Sequence, residues 1–212
     1  MFKVLDWIMK LLYFVILCLL FYDVNSEIIG CDKLYLVDQS IKKKKTNQLF
    51  TGRCIKFYKD DKTHFTKKYV NGKQSGESKY FYESGKLLTQ EYYKKGLKTG
   101  LSKTFYESGV LKSLINYKNN LKHGDFRSFH SNGNLSIIRS YKNGLKSGEE
   151  RTYYKNGNLK TIANYSYDEM HGNFSSFFKK NGQIMERSFY NKGKKILEKT
   201  ITYSQKGIII PN

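Results

Sequence analysis

The chain has 212 residues, enough for one domain or one repeat array, with 18 Tyr, 14 Phe, one Trp and one Pro. Abundant aromatics with almost no alanine favour strands and count against an all-helical fold. A net charge of +20 favours anionic partners such as nucleic acid, an anionic lipid surface or acidic protein, although Lys-rich turns also keep an edge-rich β protein soluble.

Leu11–Tyr22 is an unbroken apolar run of 12 residues. A spanning helix needs about 20, whereas a signal-peptide core needs about 7–15, so the run predicts a short signal helix. Lys10 supplies the positive flank, and Val24 and Ser26 suit cleavage after Ser26. Met9 competes with Met1 as the start, because the stretch between them carries Asp6 and Trp7. The other reading is an uncleaved anchor reaching back through Trp7 and Ile8, interrupted by Lys10. Residues 1–26 are thus expected to be a signal peptide or N-terminal hydrophobic segment. The protein is expected to be exported to the periplasm, the cell surface or the medium.

Cleavage would remove Cys18 and leave Cys31 and Cys54. Ile28-Ile29-Gly30-Cys31 is similar to a bacterial lipobox, although Asp23 and Glu27 separate it from the apolar core. Cys31 is a candidate for lipidation, for a disulfide with Cys54, or for a free thiol. Residues 27–51 are expected to hold an opening strand around Leu34–Val37 and a solvated Lys42–Lys45 linker.

From Gly52 onward the sequence repeats. Glycines recur every 24 residues at Gly52, Gly76, Gly100, Gly124, Gly148 and Gly172. Taking each as unit position 1, position 10 is Gly85, Gly109, Gly133 and Gly157, then Gly182 one residue late. Position 6 is always aromatic, and position 18 is Tyr69, Tyr93, Tyr117, Tyr141, Tyr165 and, one residue late, Tyr190. Each unit reads as a β-hairpin with two tight turns, the first near Ser131-Asn132-Gly133 and the second near Lys142-Asn143-Gly144. The first unit has Asp61 at position 10, and Asn120 and Asp168 replace the second-turn glycine, being tolerated at positive φ. The expected fold is an all-β, single-layer twisted antiparallel meander of about twelve strands over residues 52–196, with residues 197–212 as a cap. A two-residue first turn would set position 7 opposite position 12, pairing Tyr82 with Leu87, Tyr106 with Leu111, His130 with Leu135 and Tyr154 with Leu159. Position 18 would share that face, and position 6 would point away. A lone hairpin is marginal in water, so the units must stack.

The unit Gly-x4-(Phe/Tyr)-Tyr-x-(Asn/Ser)-Gly-x-Leu-x5-Tyr-Lys-Asn-Gly-Leu-Lys resembles the MORN-repeat variant of bacterial proteins often labelled toxin–antitoxin, YwqK-family antitoxin. His123-Gly124 and His171-Gly172 are similar to the His-Gly step of ordinary MORN repeats. The resemblance covers about residues 47–207. It implies a single-layer twisted sheet serving as a protein- or lipid-binding scaffold, antitoxin-like by label.

No catalytic constellation, cofactor motif or metal site is recognisable. The four histidines are scattered, and Asp60-Asp61 fall where other units turn. The feature that stands out is charge. The second-turn edge, positions 19–23, carries eleven lysines against two acids; the first-turn edge carries six against four. Lys94, Lys98, Lys118, Lys122, Lys142 and Lys146 are therefore the candidate anionic-partner site. A protein partner is expected first, anionic membrane lipid second, and export argues against nucleic acid.

Overall fold

A computed structural model describes residues 27–210. The expected signal segment lies outside the described residues. The chain forms β1 (Glu27–Gly30), β2 (Leu34–Val37), β3 (Ser40–Lys43), β4 (Gly52–Phe57), β5 (Thr63–Val70), β6 (Lys73–Phe81), β7 (Leu87–Lys94), β8 (Leu97–Lys98) and β9 (Gly100–Phe105). There follow β10 (Leu111–Lys118), β11 (Leu121–Phe129), β12 (Leu135–Lys142), β13 (Leu145–Lys146), β14 (Gly148–Tyr153), β15 (Leu159–Ser166), β16 (Glu169–Phe177), β17 (Ile184–Asn191), β18 (Lys194–Tyr203) and β19 (Ile209–Ile210).

Seventeen of these join one sheet, in which successive repeat strands pair antiparallel. The excess over the expected dozen has two sources. Two long strands are interrupted at Thr99 and Ser147 into β8/β9 and β13/β14, and the ends add β1, β18 and β19. β1 runs parallel to β4, so the sheet is mixed.

The second turn has positive φ at both central residues, as in Asn71-Gly72 (47° and 72°) and Asn143-Gly144 (51° and 93°). That is the type I′ geometry whose twist matches the strands. The first turn departs from the expected two-residue loop. Gly85 N donates to the Tyr82 carbonyl at 2.8 Å and Tyr82 N to the Lys86 carbonyl at 2.9 Å, a type I turn closed by one left-handed residue. Glycine supplies that residue, at φ 87° in Gly133, and Asp61 supplies it in the first unit at 61°. Asn132 acts through its side chain instead, its Oδ1 accepting from Asn134 N at 3.2 Å. The wider turn shifts the register, so position 6 faces position 12: Phe81 opposite Leu87, Phe105 opposite Leu111, Phe129 opposite Leu135 and Tyr153 opposite Leu159. The expected pairing of position 7 with position 12 does not form.

The freed position-7 side chains staple neighbouring units. Tyr58, Tyr82, Tyr106 and Tyr154 each donate a hydroxyl hydrogen bond, of 2.7 to 3.1 Å, to the position-6 carbonyl one unit further on. His130 Nε2 takes the same place, 2.9 Å from the Tyr153 carbonyl. Each such bond contributes about 0.5–1.5 kcal/mol net. On the opposite edge, the backbone N–H of Gly96, Asn120, Gly144, Asp168 and Gly193 donates to a carbonyl of the preceding unit. Asn120 and Asp168 do more than tolerate positive φ: their Oδ1 atoms accept from Lys98 N at 2.7 Å and Lys146 N at 2.6 Å.

The N-terminal end is closed by a small core. Phe50, Cys54 and Tyr69 are buried, with Ile29, Leu34, Ile41 and Phe65 packed around them. Leu34–Val37 is a strand, as expected, but it pairs with β3 as a separate hairpin rather than opening the sheet. Lys42 and Lys43 belong to β3 and are half-buried, so the expected Lys42–Lys45 linker is solvated only at Lys44 and Lys45. Cys31 and Cys54 form a disulfide, with Cα atoms 5.0 Å apart. A sulfur bonded to Cys54 cannot carry a thioether-linked lipid, so this structure has the disulfide alternative and not the lipobox one. At the other end, β18 and β19 pair through a Ser204–Ile208 turn that repeats the first-turn hydrogen bonds.

Candidate interaction surface

Register pairs share a face, and the buried repeat residues fall on one of the two. Positions 3 and 16 face each other and run as a row across the strands. Cys54, Lys67, Ser78 and Glu91 follow one another over β4–β7; Ser102, Ile115, Phe126 and Arg139 over β9–β12; Glu150, Ala163, Phe174 and Ser188 over β14–β17. Small side chains beside large ones let this row pack without a second layer. Arg139 Nε meets the buried Glu150 carboxylate at 2.8 Å, and the guanidinium lies 5.3 Å from the Phe126 ring centroid. Burial lowers the Lys67 pKa; its ammonium sits 4.4 Å from the Phe65 centroid.

Beside that row runs a second one of tyrosine and lysine. Each position-18 tyrosine faces the unit-opening glycine of its own unit, as Tyr117 faces Gly100, so the absent side chain leaves room for the ring. Its other neighbour is the position-23 residue: Lys98 beside Tyr93, Lys122 beside Tyr117, Lys146 beside Tyr141. The same lysines reach over the next unit's ring, Lys98 at 4.0 Å from Tyr117, Lys122 at 5.1 Å from Tyr141 and Lys146 at 4.4 Å from Tyr165. Glu91 is fully engaged, accepting from Tyr93 Oη at 2.7 Å and Lys98 Nζ at 2.6 Å. Burial, with the Glu91 contact second, pushes the Tyr93 pKa up; burial also raises Tyr69, Tyr80 and Tyr165.

The six candidate lysines are therefore of two kinds. Lys98, Lys122 and Lys146 point to the tyrosine row, where they join one unit to the next. Lys94, Lys118 and Lys142 pair across the second turn with Leu97, Leu121 and Leu145, and all six of these residues are exposed. Alternation puts them on the face opposite the tyrosine row. Among the described residues, Lys94, Lys118 and Lys142 have no ion-pair partner. By repeat position alone the two kinds of lysine look alike. The signal that separates them is parity, odd positions 19 and 23 being divided by a two-residue turn that reverses the strand. The turn glycines Gly85, Gly109, Gly133, Gly157 and Gly182 all have positive φ, consistent with a role in shaping the edge.

Residues 74–95, 98–119, 122–143 and 146–167 match the MORN repeat variant family. Each segment opens two residues before the unit glycine, so the family's frame begins on the position-23 residue and takes in the lysine–tyrosine contacts. The four tandem matches contain Lys94, Lys118 and Lys142. Repeats of this kind are commonly protein- or membrane-interaction modules. No curated protein matches the chain.

Proposed function

We propose that this chain is an exported, non-enzymatic repeat scaffold that binds another protein through the exposed cationic edge of its second turns. The observation that carries this is the contrast between the two sets of lysines. One set is consumed in holding the repeats together, while the other is exposed on three successive hairpins with no ion-pair partner among the described residues. The antitoxin-like resemblance supports a proteinaceous partner, and an exported scaffold meets it outside the cytosol. A second reading has its own support. Exposed Leu97, Leu121 and Leu145 beside the lysines suit peripheral binding to anionic lipid, where each Lys near the surface adds about 1 kcal/mol.

Lys94→Gln/Lys118→Gln/Lys142→Gln is compared with a first-turn control, Lys59→Gln/Lys86→Gln/Lys155→Gln. A protein retained by the wild type and the control but lost by the edge variant supports the scaffold reading. Co-sedimentation with anionic vesicles that follows the same pattern, with no protein retained, supports the lipid reading. Identical behaviour of both variants removes the edge as a site. Either interaction weakens as salt rises, since screening acts over about 8 Å at physiological ionic strength.

A further inference from the structure

We propose that the second-turn edge binds an extended polyproline-type peptide carrying an acidic side chain at every third residue. This rests on the reading of that edge as protein-binding. Lys94 and Leu97, Lys118 and Leu121, and Lys142 and Leu145 are direct cross-strand partners, so each hairpin presents one cation and one apolar side chain on the same face. The leucines are 41%, 49% and 40% exposed. Backbone hydrogen bonds join consecutive turns, Asn120 N to the Lys98 carbonyl at 2.9 Å and Gly144 N to the Lys122 carbonyl at 2.8 Å, and so fix the spacing.

Equivalent residues recur every second strand, and strands lie about 4.7–4.9 Å apart, which sets a period of about 9.6 Å. A polyproline helix has three residues per turn and rises about 3.1 Å per residue, so residues on one side recur every 9.3 Å or about that. A peptide in β conformation instead repeats its same-face side chains every ~6.6 Å and falls out of step after one hairpin. The leucines lie between successive lysines, where the intervening apolar rings of such a peptide rest.

The ends of the stripe match this occupant. Before it, the equivalent pair is Val70 and Lys73, and the Lys73 ammonium is taken up by the Gln39 carbonyl at 2.8 Å; after it, Ser166 and Glu169, whose carboxylate reverses the charge. Three cations at the Lys94 position thus stand between the two ends. At the far end, over the turn edge, lies a depression of about 450 Å³ lined by Lys142, Leu145, Lys146, Ser166 and Tyr167, and Tyr167 is 80% exposed. Aromatic-lined grooves are how proline-rich segments are recognised. A flat bilayer has no period to match.

The test uses the full chain and two labelled peptides of equal composition, one (Glu-Pro-Pro)₄ and one with its glutamates in a single block, read by fluorescence anisotropy. The periodic peptide is expected to bind about tenfold tighter than its isomer. Lys94→Gln/Lys118→Gln/Lys142→Gln should abolish the difference while melting as the wild type does, and Tyr167→Ala should weaken the periodic peptide alone. Equal binding of the two isomers overturns the proposal. So does binding confined to anionic vesicles, which assigns the stripe to lipid. If the isomers bind alike but a protein from the native organism still needs the three lysines, the polyproline assignment falls and the protein-binding edge stands. If the triple variant retains that protein, both fall.

Discussion

Gly133 has φ 87°, and a Cβ added there would meet nothing within 4 Å. The cost of a side chain at this site is therefore conformational rather than steric. Gly133→Val is expected to lower stability by about 1–3 kcal/mol, while Ser131→Ala on the same turn stays within about 0.5 kcal/mol. Urea unfolding of both variants checks this, and equal losses would contradict the turn geometry. Residues whose role is backbone geometry were legible in the sequence, because only glycine and its few substitutes serve there. Gly133, Asn120 and Asp168 were all found this way. Tyr106 was misread as a partner of Leu111. Its hydroxyl seeks a backbone carbonyl one unit away, and a carbonyl has no residue identity to read.

Between elements, the clearest energetic feature is the Arg139–Glu150 pair joining β12 to β14. Neither side chain has much solvent; Arg139 loses its carboxylate when Glu150 is removed, and Glu150 without Arg139 keeps, among the described residues, only the Lys146 cation, at 3.9 Å. Glu150→Ala and Arg139→Ala should each cost about 1.5–3 kcal/mol. The double variant should cost less than the sum by about 1 kcal/mol or more, as interacting neighbours do. Additivity in a double-mutant cycle would show that the pair is not coupled. Nothing in the sequence marks this pair, since the same row also holds the charged Lys67 and Glu91 alongside serine, isoleucine and phenylalanine. The N-terminal closure was also hard to read. Lys42 and Lys43 suggest solvent by composition, yet their strand is held by Ile41, whose N–H donates to the Gly72 carbonyl at 2.8 Å.

Taken as a whole, the molecule is a sum of similar contacts, and its response to pH reflects the tyrosine columns. Tyr69, Tyr80, Tyr93 and Tyr165 all have raised pKa values because burial disfavours the phenolate. A raised folded value contributes stability that is intact below the unfolded value, about 10, and is lost as pH climbs towards the folded one. Lys67 has the opposite sign: its lowered pKa is a penalty relieved as pH rises towards about 10.4. Four tyrosines outweigh one lysine, so the melting temperature should fall above about pH 10. Tyrosinate absorbance should appear together with unfolding. A melting temperature flat to pH 11 would show that the rings are freely solvated. The overall architecture was the most legible level of all, because matched columns over six units leave few alternatives. Which lysines are free was legible only once the strands were paired.

The Cys31–Cys54 bond gives the array a mechanical direction. It ties the first repeat strand to the segment before it, while the last hairpin ends on the two-residue strand β19. Under tension applied at its two ends, the chain has one fastened margin and one loose margin. Either margin opens hairpin by hairpin. Each 24-residue unit pays out about 80 Å of slack, at 3.3–3.6 Å per extended residue. The loop between Cys31 and Cys54 is bypassed by the bond, so the N-terminal side gives no slack of its own before β4 is drawn from β5.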